Sequence, residues 1–224
     1  MIALIITEGP ARGRRALRRL AAAADLIVAA DGGARLARAA GIAPHLIIGD
    51  QDSLDRETAR WAAGRRIEHQ TYPSEKDATD AELALREAVR RGAREVWFYS
   101  VVGGRLDQTL ANILLLFEAR RLEVRALLTD GRASAWLVDG TAAVDGRPGD
   151  TVSLVPLSPV VEGVVTTGLR YPLRDGVLRR GSTVGISNEI TQAKATVRLR
   201  AGDLLLIHTP GTPRSRGGRD HPTR

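Results

Sequence analysis

Cysteine is absent from this 224-residue chain, which excludes disulfides, thiolate zinc sites and cysteine nucleophiles. Aromatics are scarce: two Phe, three Tyr and three Trp offer little interleaving for the stacking of bases. No apolar run approaches the roughly 20 residues needed to span a bilayer. The opening Met1-Ile2-Ala3-Leu4-Ile5-Ile6-Thr7 has no basic n-region and runs into a Gly9-Pro10 turn, so it reads as a buried strand rather than a signal peptide. The chain lacks G-x-G-x-x-G and G-x-x-x-x-G-K-[ST], which argues against dinucleotide and Walker-type loops. It also lacks H-E-x-x-H and G-x-S-x-G. A soluble, cytoplasmic protein without membrane contact is the simple expectation.

Lysine is nearly missing. Of 33 Lys+Arg, only Lys76 and Lys194 are lysines, so arginine serves wherever a generic positive charge is enough. Lys76, between Glu75 and Asp77, stands out as a compact ammonium suited to a phosphate. The formal charge is +7, yet residues 209–224 hold four arginines against one aspartate and supply +3 of it. Their Pro, Gly and Ser content predicts a disordered basic tail. The remaining surplus lies along helical stretches such as 12–19 and 86–94, a solvated-face pattern. Nucleic acid is therefore not the expected partner.

Up to about residue 135, short apolar runs alternate with helical patterns. Strands are predicted over 2–7, 26–30, 46–48, 66–70, 96–101 and 124–129, with helices over 12–23, 34–40, 55–63, 79–91 and 107–119. Leu110, Ile113, Leu114 and Phe117 follow the i, i+3, i+4, i+7 rule of a core-facing helix, as do Ala81, Ala84, Leu85 and Ala88. Thr79 with Glu82 makes a capping box. Strands alternating with helices imply a parallel sheet covered on both faces, whose ligands bind beyond the carboxyl ends of the strands. From about Asp139 the composition shifts to Gly, Pro, Val and Thr. Strands are predicted over 151–155, 160–166, 176–179, 195–200 and 203–208. The fold class is α/β: an N-terminal parallel-sheet domain (1–135), a smaller all-β, sandwich-like domain (140–208) and the tail (209–224). A hinge is expected between residues 130 and 149.

Three acidic segments fall where a strand gives way to a loop or a helix: Gly49-Asp50-Gln51-Asp52-Ser53, Ser74-Glu75-Lys76-Asp77-Ala78-Thr79-Asp80 and Gly103-Gly104-Arg105-Leu106-Asp107-Gln108. Carboxylates gathered in this way repel one another unless a cation neutralises them. Mg²⁺ suits such sites, taking one or two protein carboxylates and filling its remaining positions with water and phosphate oxygens. In an extended segment Asp50 and Asp52 share a face; alternatively Asp52 or Ser53 caps the next helix. Asp77 and Asp80 complement a helix dipole, and a helix N-terminus beside Lys76 is also an anion site. Gly103 and Gly104 permit close backbone approach to a phosphate or simply loosen a loop. Asp31-Gly32-Gly33 follows an apolar strand in the same position. Trp61, Trp97 and Trp136 read as core, and His45, His69, His208 and His221 as surface or satisfied positions. These residues point to a Mg²⁺-dependent enzyme acting on phosphates.

Taken in order, the motifs resemble one family. Ala30-Asp31-Gly32-Gly33-Ala34, Ile47-Ile48-Gly49-Asp50-Gln51-Asp52-Ser53, Tyr72-Pro73-Ser74-Glu75-Lys76-Asp77-Ala78-Thr79-Asp80 and Gly103-Gly104-Arg105-Leu106-Asp107-Gln108-Thr109-Leu110-Ala111-Asn112 have the order and spacing of thiamine pyrophosphokinases. So do Ser153-Leu154-Val155-Pro156-Leu157, Gly168-Leu169-Arg170-Tyr171-Pro172-Leu173 and Gly185-Ile186-Ser187-Asn188-Glu189 later in the chain. The resemblance implies a kinase in which the hydroxyethyl oxygen of thiamine attacks the β-phosphorus of ATP, the co-substrate, and AMP leaves. It implies that Asp50, Asp52 and Asp77 hold Mg²⁺. Asp31, Gly32, Gly33, Ser53, Lys76, Asp77, Thr79, Asp80, Gly103, Gly104 and Arg105 would contact the nucleotide. Asp107, Ser187 and Asn188 would contact thiamine, with Asp50, Asp52, Asp77 and Asp107 as the catalytic carboxylates. It further implies a homodimer with the site between the α/β part of one subunit and the β part of the other. Gln51 stands where the family commonly has Phe, Arg35 where it has Asn, and Leu204-Leu205-Leu206 where some relatives place a tryptophan. A non-catalytic thiamine or thiamine diphosphate sensor, or a diphosphokinase for another heterocyclic alcohol, are the alternatives.

Overall fold

A computed structural model of the chain describes residues 1–10, 13–50, 54–72 and 77–211. The elements run β1 (Ile2–Ile6), α1 (Arg14–Ala23), β2 (Leu26–Ala30), α2 (Gly33–Ala39), β3 (Leu46–Gly49), α3 (Arg56–Gly64), β4 (Glu68–Thr71), α4 (Asp80–Arg90), β5 (Glu95–Tyr99), α5 (Leu106–Arg121) and β6 (Arg125–Thr129). Strands alone follow: β7 (Ser134–Leu137), β8 (Thr141–Asp145), β9 (Thr151–Pro156), β10 (Val160–Thr167), β11 (Gly176–Arg179), β12 (Asn188–Glu189), β13 (Lys194–Arg198) and β14 (Leu204–Thr209). Most of these lie within two residues of the expected spans.

The strands form a ten-stranded sheet, in the order β12-β9-β14-β7-β6-β5-β1-β2-β3-β4, and a four-stranded sheet, β11-β10-β13-β8. From β6 to β4 every pairing in the large sheet is parallel. From β7 outward every pairing is antiparallel. The α/β part and the smaller antiparallel β part expected from the sequence are therefore both present. The 130–149 span, expected to hold the hinge, contains β7 and β8. β7 pairs with β6 on one side and β14 on the other, so one sheet runs through both parts.

Period-two alternation explains how the helices distribute. Along β1, Ala3 and Ile5 pack with Leu85 and Ala88 of α4 and Leu116 and Ala119 of α5. Leu4 and Ile6 pack on the other face with Leu17 of α1 and Ala37 of α2. Ile47 meets Ala62 of α3 on that second face. Both faces being covered, strands such as Leu26–Ala30 are buried at every position, the expected signature of a parallel sheet. In the β part, Val152, Leu154, Leu204 and Leu206 pack against Val144, Val161, Val164, Ala195 and Val197 of the small sheet. Each such Leu or Ile contributes about 1.5–3 kcal/mol by leaving water.

One periodicity reading is corrected. Although Ile113 packs partly buried against the core, Leu110, Ile113, Leu114 and Phe117 do not form the buried face of α5. Asn112, Leu115, Leu116 and Ala119 do, while Leu110 and Leu114 are 57% and 51% exposed. The segment is apolar nearly all round, so two helix rotations satisfy the i, i+3, i+4 rule. The rotation adopted carries Asn112 inward, where its Nδ2 donates to the Val101 carbonyl at 2.9 Å. In α4 the expected Ala81, Ala84, Leu85 and Ala88 are all buried, and Thr79 Oγ1 accepts the Glu82 N–H. Thr209, placed with the tail by composition, closes β14; the Gly211 N–H bonds Asp150, and the residues beyond lie outside those described.

A buried ion cluster fixes α4 to the sheet edge. Glu87, 5% exposed, accepts from Arg90 and Arg91, and Arg91 also pairs with Glu68 of β4. The Arg90 hydrogen bond lowers the Glu87 carboxyl from 4.5 to about 2, against burial, with Arg91 adding to the effect. A lowered folded-state value means that this stabilisation is complete above 4.5 and is lost as pH falls toward 2. Glu87→Gln is expected to cost about 2 kcal/mol at neutral pH. In denaturant titrations its deficit relative to the parent should shrink between pH 4.5 and 2; a constant deficit would contradict the role given to Arg90 and Arg91.

Candidate functional site

The strand order fixes where a site can form. β1 leads outward to β2, β3 and β4, and α4 then returns the chain to β5 on the other flank of β1. Loops leaving the carboxyl ends of β1 and β5 diverge in opposite directions and open a crevice. A cleft of about 340 Å³ lies there, lined by Thr7 and Glu8 after β1, Ala30 and Asp31 after β2, Thr79, Asp80 and Ala81 at the start of α4, Ser100 and Val101 after β5, and Gly103, Gly104, Arg105, Gln108 and Asn112 leading into α5. A larger cavity of about 480 Å³ sits at the opposite edge, among Glu95, Arg120, Arg125 and Asp139. It contains none of the motif residues.

Six of the predicted nucleotide residues line the cleft: Asp31, Thr79, Asp80, Gly103, Gly104 and Arg105. Asp31 takes a left-handed backbone, φ 51°, turning the chain from β2 into α2. Gly32 and Gly33 lie just behind it, and Gly33 has no room for a side chain, whereas one on Gly32 would require Glu8 to move. A Cβ on Gly33 would overlap the Ile6 carbonyl, and one on Gly32 would overlap the Glu8 side chain. Asp50, half-buried, directly follows β3, next to the end of β2, where the Asp31 N–H bonds the Ile48 carbonyl. Asp77 is exposed, three residues ahead of α4. Asp52, Ser53 and Lys76 lie outside the described residues. The capping alternative for Asp52 or Ser53 falls away, because α3 is capped by Asp55, which accepts from Glu57 and Thr58.

Among the described residues no three His, Cys, Asp or Glu side chains converge on a common point. Asp50 and Asp77 offer only hard carboxylate oxygens, a donor chemistry that fits a hard dication such as Mg²⁺.

Asp107, in the first turn of α5, is exposed and ion-paired with Arg105 at 2.6 Å. The Arg105 hydrogen bond, and next the Gln108 N–H, lower its carboxyl below the ordinary value. Such a group stays ionised and accepts a hydrogen bond from a hydroxyl, but it is a weak base. Ser187 and Asn188 are not in the cleft. Ser187 is exposed with φ 58°, and its N–H donates to Ser153 Oγ. Asn188 is buried and spends its amide on the backbone of Tyr171, accepting its N–H and donating to its carbonyl.

Several lining residues were not among the predicted ones: Thr7, Glu8, Ser100, Gln108 and Asn112. Glu8 reaches over Gly32 to pair with Arg35. Ser100, 1% exposed with φ 66°, and Asn112 each carry a buried oxygen, Oγ and Oδ1, without a hydrogen-bond partner among the described residues. The signal for Ser100 was available: a polar residue ending the apolar run of β5, in the same place as Asp31 after β2.

Residues 17–128 match the family model of the thiamin pyrophosphokinase catalytic domain. Residues 142–204 match that of the thiamin pyrophosphokinase vitamin B1 binding domain. A thiamine pyrophosphokinase of Bacillus subtilis is 29% identical over 172 residues, 76% of this chain and 80% of that protein. A crystal structure of thiamine pyrophosphokinase from Bacillus subtilis superposes with a TM-score of 0.83 at 27% identity, covering 94% of this chain and 99% of that one. The corresponding enzyme from Geobacillus thermodenitrificans gives 0.80 at 29% identity, covering 95% and 99%. With catalytic and vitamin-binding stretches matched in order along one fold, the chain belongs to the thiamine pyrophosphokinase family.

Proposed function

We propose that this chain transfers a pyrophosphoryl group from ATP to the hydroxyl of thiamine, giving thiamine diphosphate and AMP. The observation that carries this reading is the cleft at the divergence of β1 and β5, which gathers Asp31, Thr79, Asp80, Gly103, Gly104 and Arg105 from three separate segments. In the motif order of the family these are nucleotide-contacting positions. The reaction needs two reactants aligned and charge neutralised on the transferring group.

Each residue has a task. Asp31, Thr79 and Asp80 orient the nucleotide, and by their place in the motifs Gly32, Gly33, Ser53 and Lys76 are assigned to it as well. Gly104 and Arg105 face the polyphosphate. Asp50, Asp52 and Asp77 would hold Mg²⁺, which neutralises phosphate charge when bound. Asp107 accepts a hydrogen bond from the thiamine hydroxyl and aims its oxygen at phosphorus. Residues 1–135 carry the nucleotide half and residues 140–208 the vitamin half. ATP as co-substrate fits a cytoplasmic enzyme.

We further propose a homodimer in which Ser187 and Asn188 serve the partner's cleft. Within one chain, β12 lies five strand-to-strand steps from β5, a span of about 24 Å at the usual spacing. No residue beyond Asn112 lines the cleft. Meanwhile Leu106, Leu110 and Leu114 form an i, i+4, i+8 stripe on α5 that is 82%, 57% and 51% exposed. Around the Ser187 turn, Tyr171, Val184 and Ile186 are also exposed. Apolar faces of this kind mark contact surfaces.

Chromatography after incubation with thiamine, ATP and Mg²⁺ should show AMP and thiamine diphosphate rising in equal amounts. ADP with thiamine monophosphate would overturn the pyrophosphoryl step, and absence of product would overturn the function. Asp50→Asn should lower turnover by about 10²–10³-fold without changing the melting curve; near-native turnover would remove Asp50 from the metal set. Leu110→Glu should yield a folded monomer by sedimentation, with turnover lost in step with the dimer. A fully active monomer would contradict the shared site.

A further inference from the structure

The loop between β5 and α5 is held by side chains to which the motifs give no role. Gly103 and Gly104 both sit in the left-handed region, φ 99° and 74°, where residues with a Cβ are strained. On one side the loop lies against Pro10, whose Cγ would stand 3.0 Å from a Cβ on Gly103. On the other side stands Thr109, one turn into α5. Its Oγ1 accepts the Gly103 N–H at 3.0 Å, and its hydroxyl proton is within reach of the Arg105 carbonyl at 3.0 Å and the Gly103 carbonyl at 3.3 Å.

A helical threonine bonding the carbonyl four residues back is ordinary. Taking an N–H from six residues back, outside the helix, is not part of that pattern. It also decides which amide serves the cleft. The Gly103 N–H is spent on Thr109, whereas the Gly104 N–H has no partner among the described residues, and Gly104 lines the cleft. Arg105, the N-cap of α5, makes no side-chain capping bond; of the first-turn N–H groups, that of Gln108 is taken by Asp107 Oδ1 at 2.9 Å. Asn112 adds a second tie from the same helix, through Val101 at 2.9 Å.

We propose that Thr109 is a positioning residue for polyphosphate binding: by occupying the Gly103 amide and clasping the Arg105 carbonyl, it presents the Gly104 amide and the start of α5 to an anionic ligand. This rests on the reading of the cleft as a nucleotide site. Without the clasp, two consecutive glycines sample many conformations, and nucleotide binding must order them.

The test compares the parent with Thr109→Val, which keeps shape but loses the hydroxyl, and Thr109→Ser, which restores it. Thr109→Val should raise KM for ATP about tenfold, leaving kcat and KM for thiamine within about twofold. Calorimetric affinity for a non-hydrolysable ATP analogue with Mg²⁺ should fall by the same factor, and Thr109→Ser should recover most of it. Unchanged nucleotide affinity in Thr109→Val overturns the proposal. An equal rise in both KM values together with a lower melting temperature also overturns it, since that is the mark of a general structural role. Calorimetry keeps the two readings apart: a parent that binds the nucleotide but makes no thiamine diphosphate fails the proposed function and leaves the clasp testable.

Discussion

Parallel pairing of β1 with both β2 and β5 is the constraint on which the rest of this molecule depends. β1 registers Ala3 to Leu26 on one side and Ala3 to Val96 on the other. Sequence neighbours fill only one flank, so the second must be filled by a strand that arrives after β4. The connection is α4, whose Ala81, Ala84, Leu85 and Ala88 bury themselves against the sheet as it crosses. Once the crossing is made, the turns after β1, β2 and β5, and the first turns of α4 and α5, are forced to one edge of the sheet. Separation in sequence of about 100 residues between Thr7 and Asn112 becomes proximity within one cleft.

That proximity demands backbone crossings that leave no room for side chains. Gly33 passes the Ile6 carbonyl and Gly9 passes the Ser100 carbonyl, each closely enough that a Cβ would overlap backbone. Asp31 and Ser100 meanwhile hold left-handed backbones without being glycine, a cost on the order of 1 kcal/mol or more each. Neighbouring bonds hold Ser100 in place: its N–H donates to Thr129, and its carbonyl accepts from Thr7 Oγ1 at 3.0 Å. Two of the left-handed non-glycine residues and two of the closest glycine crossings thus stand at the same edge as the polar cleft. They keep the strand ends near enough together for one ligand to touch several of them.

The parallel half was readable because each strand except the polar edge strand β4 carries a short apolar run bounded by a turn, and the rule that ligands sit beyond strand ends followed from it. Asp31 and Gly103 could be placed at the sheet edge for the same reason, each interrupting an apolar pattern where a loop begins, and Thr79 by its capping box with Glu82. What escaped had physical causes. The face of α5 was ambiguous because Leu110, Ile113 and Leu114 compete with Leu115 and Leu116, and a buried Asn112 settled the rotation. β7 and β8 were missed because Ser134–Leu137 and Thr141–Asp145 are short and only partly apolar; β8 pairs with β13 and β7 with β14, both far along the chain, although β7 also pairs with the neighbouring β6. Glu8 gave no signal, since its place in the cleft depends on Gly32 being bare beneath it.

Charge in the cleft follows a similar economy. A polyphosphate approaching the cleft would meet Glu8 in its lining and the exposed Asp107 outside it, yet each carboxylate already carries a guanidinium: Arg35 for Glu8 and Arg105 for Asp107. Both pairs are exposed, and exposed pairs contribute at most about 1 kcal/mol. They therefore damp the field without locking the arginines in place. A guanidinium held this loosely can be shared with an incoming phosphate at little cost, whereas the buried Glu87 cluster, with Arg91 bound on two sides, cannot rearrange so freely. Rigid ion pairs anchor the helix that carries Thr79 and Asp80, and the loose ones each place one partner, Glu8 or Arg105, in the cleft lining.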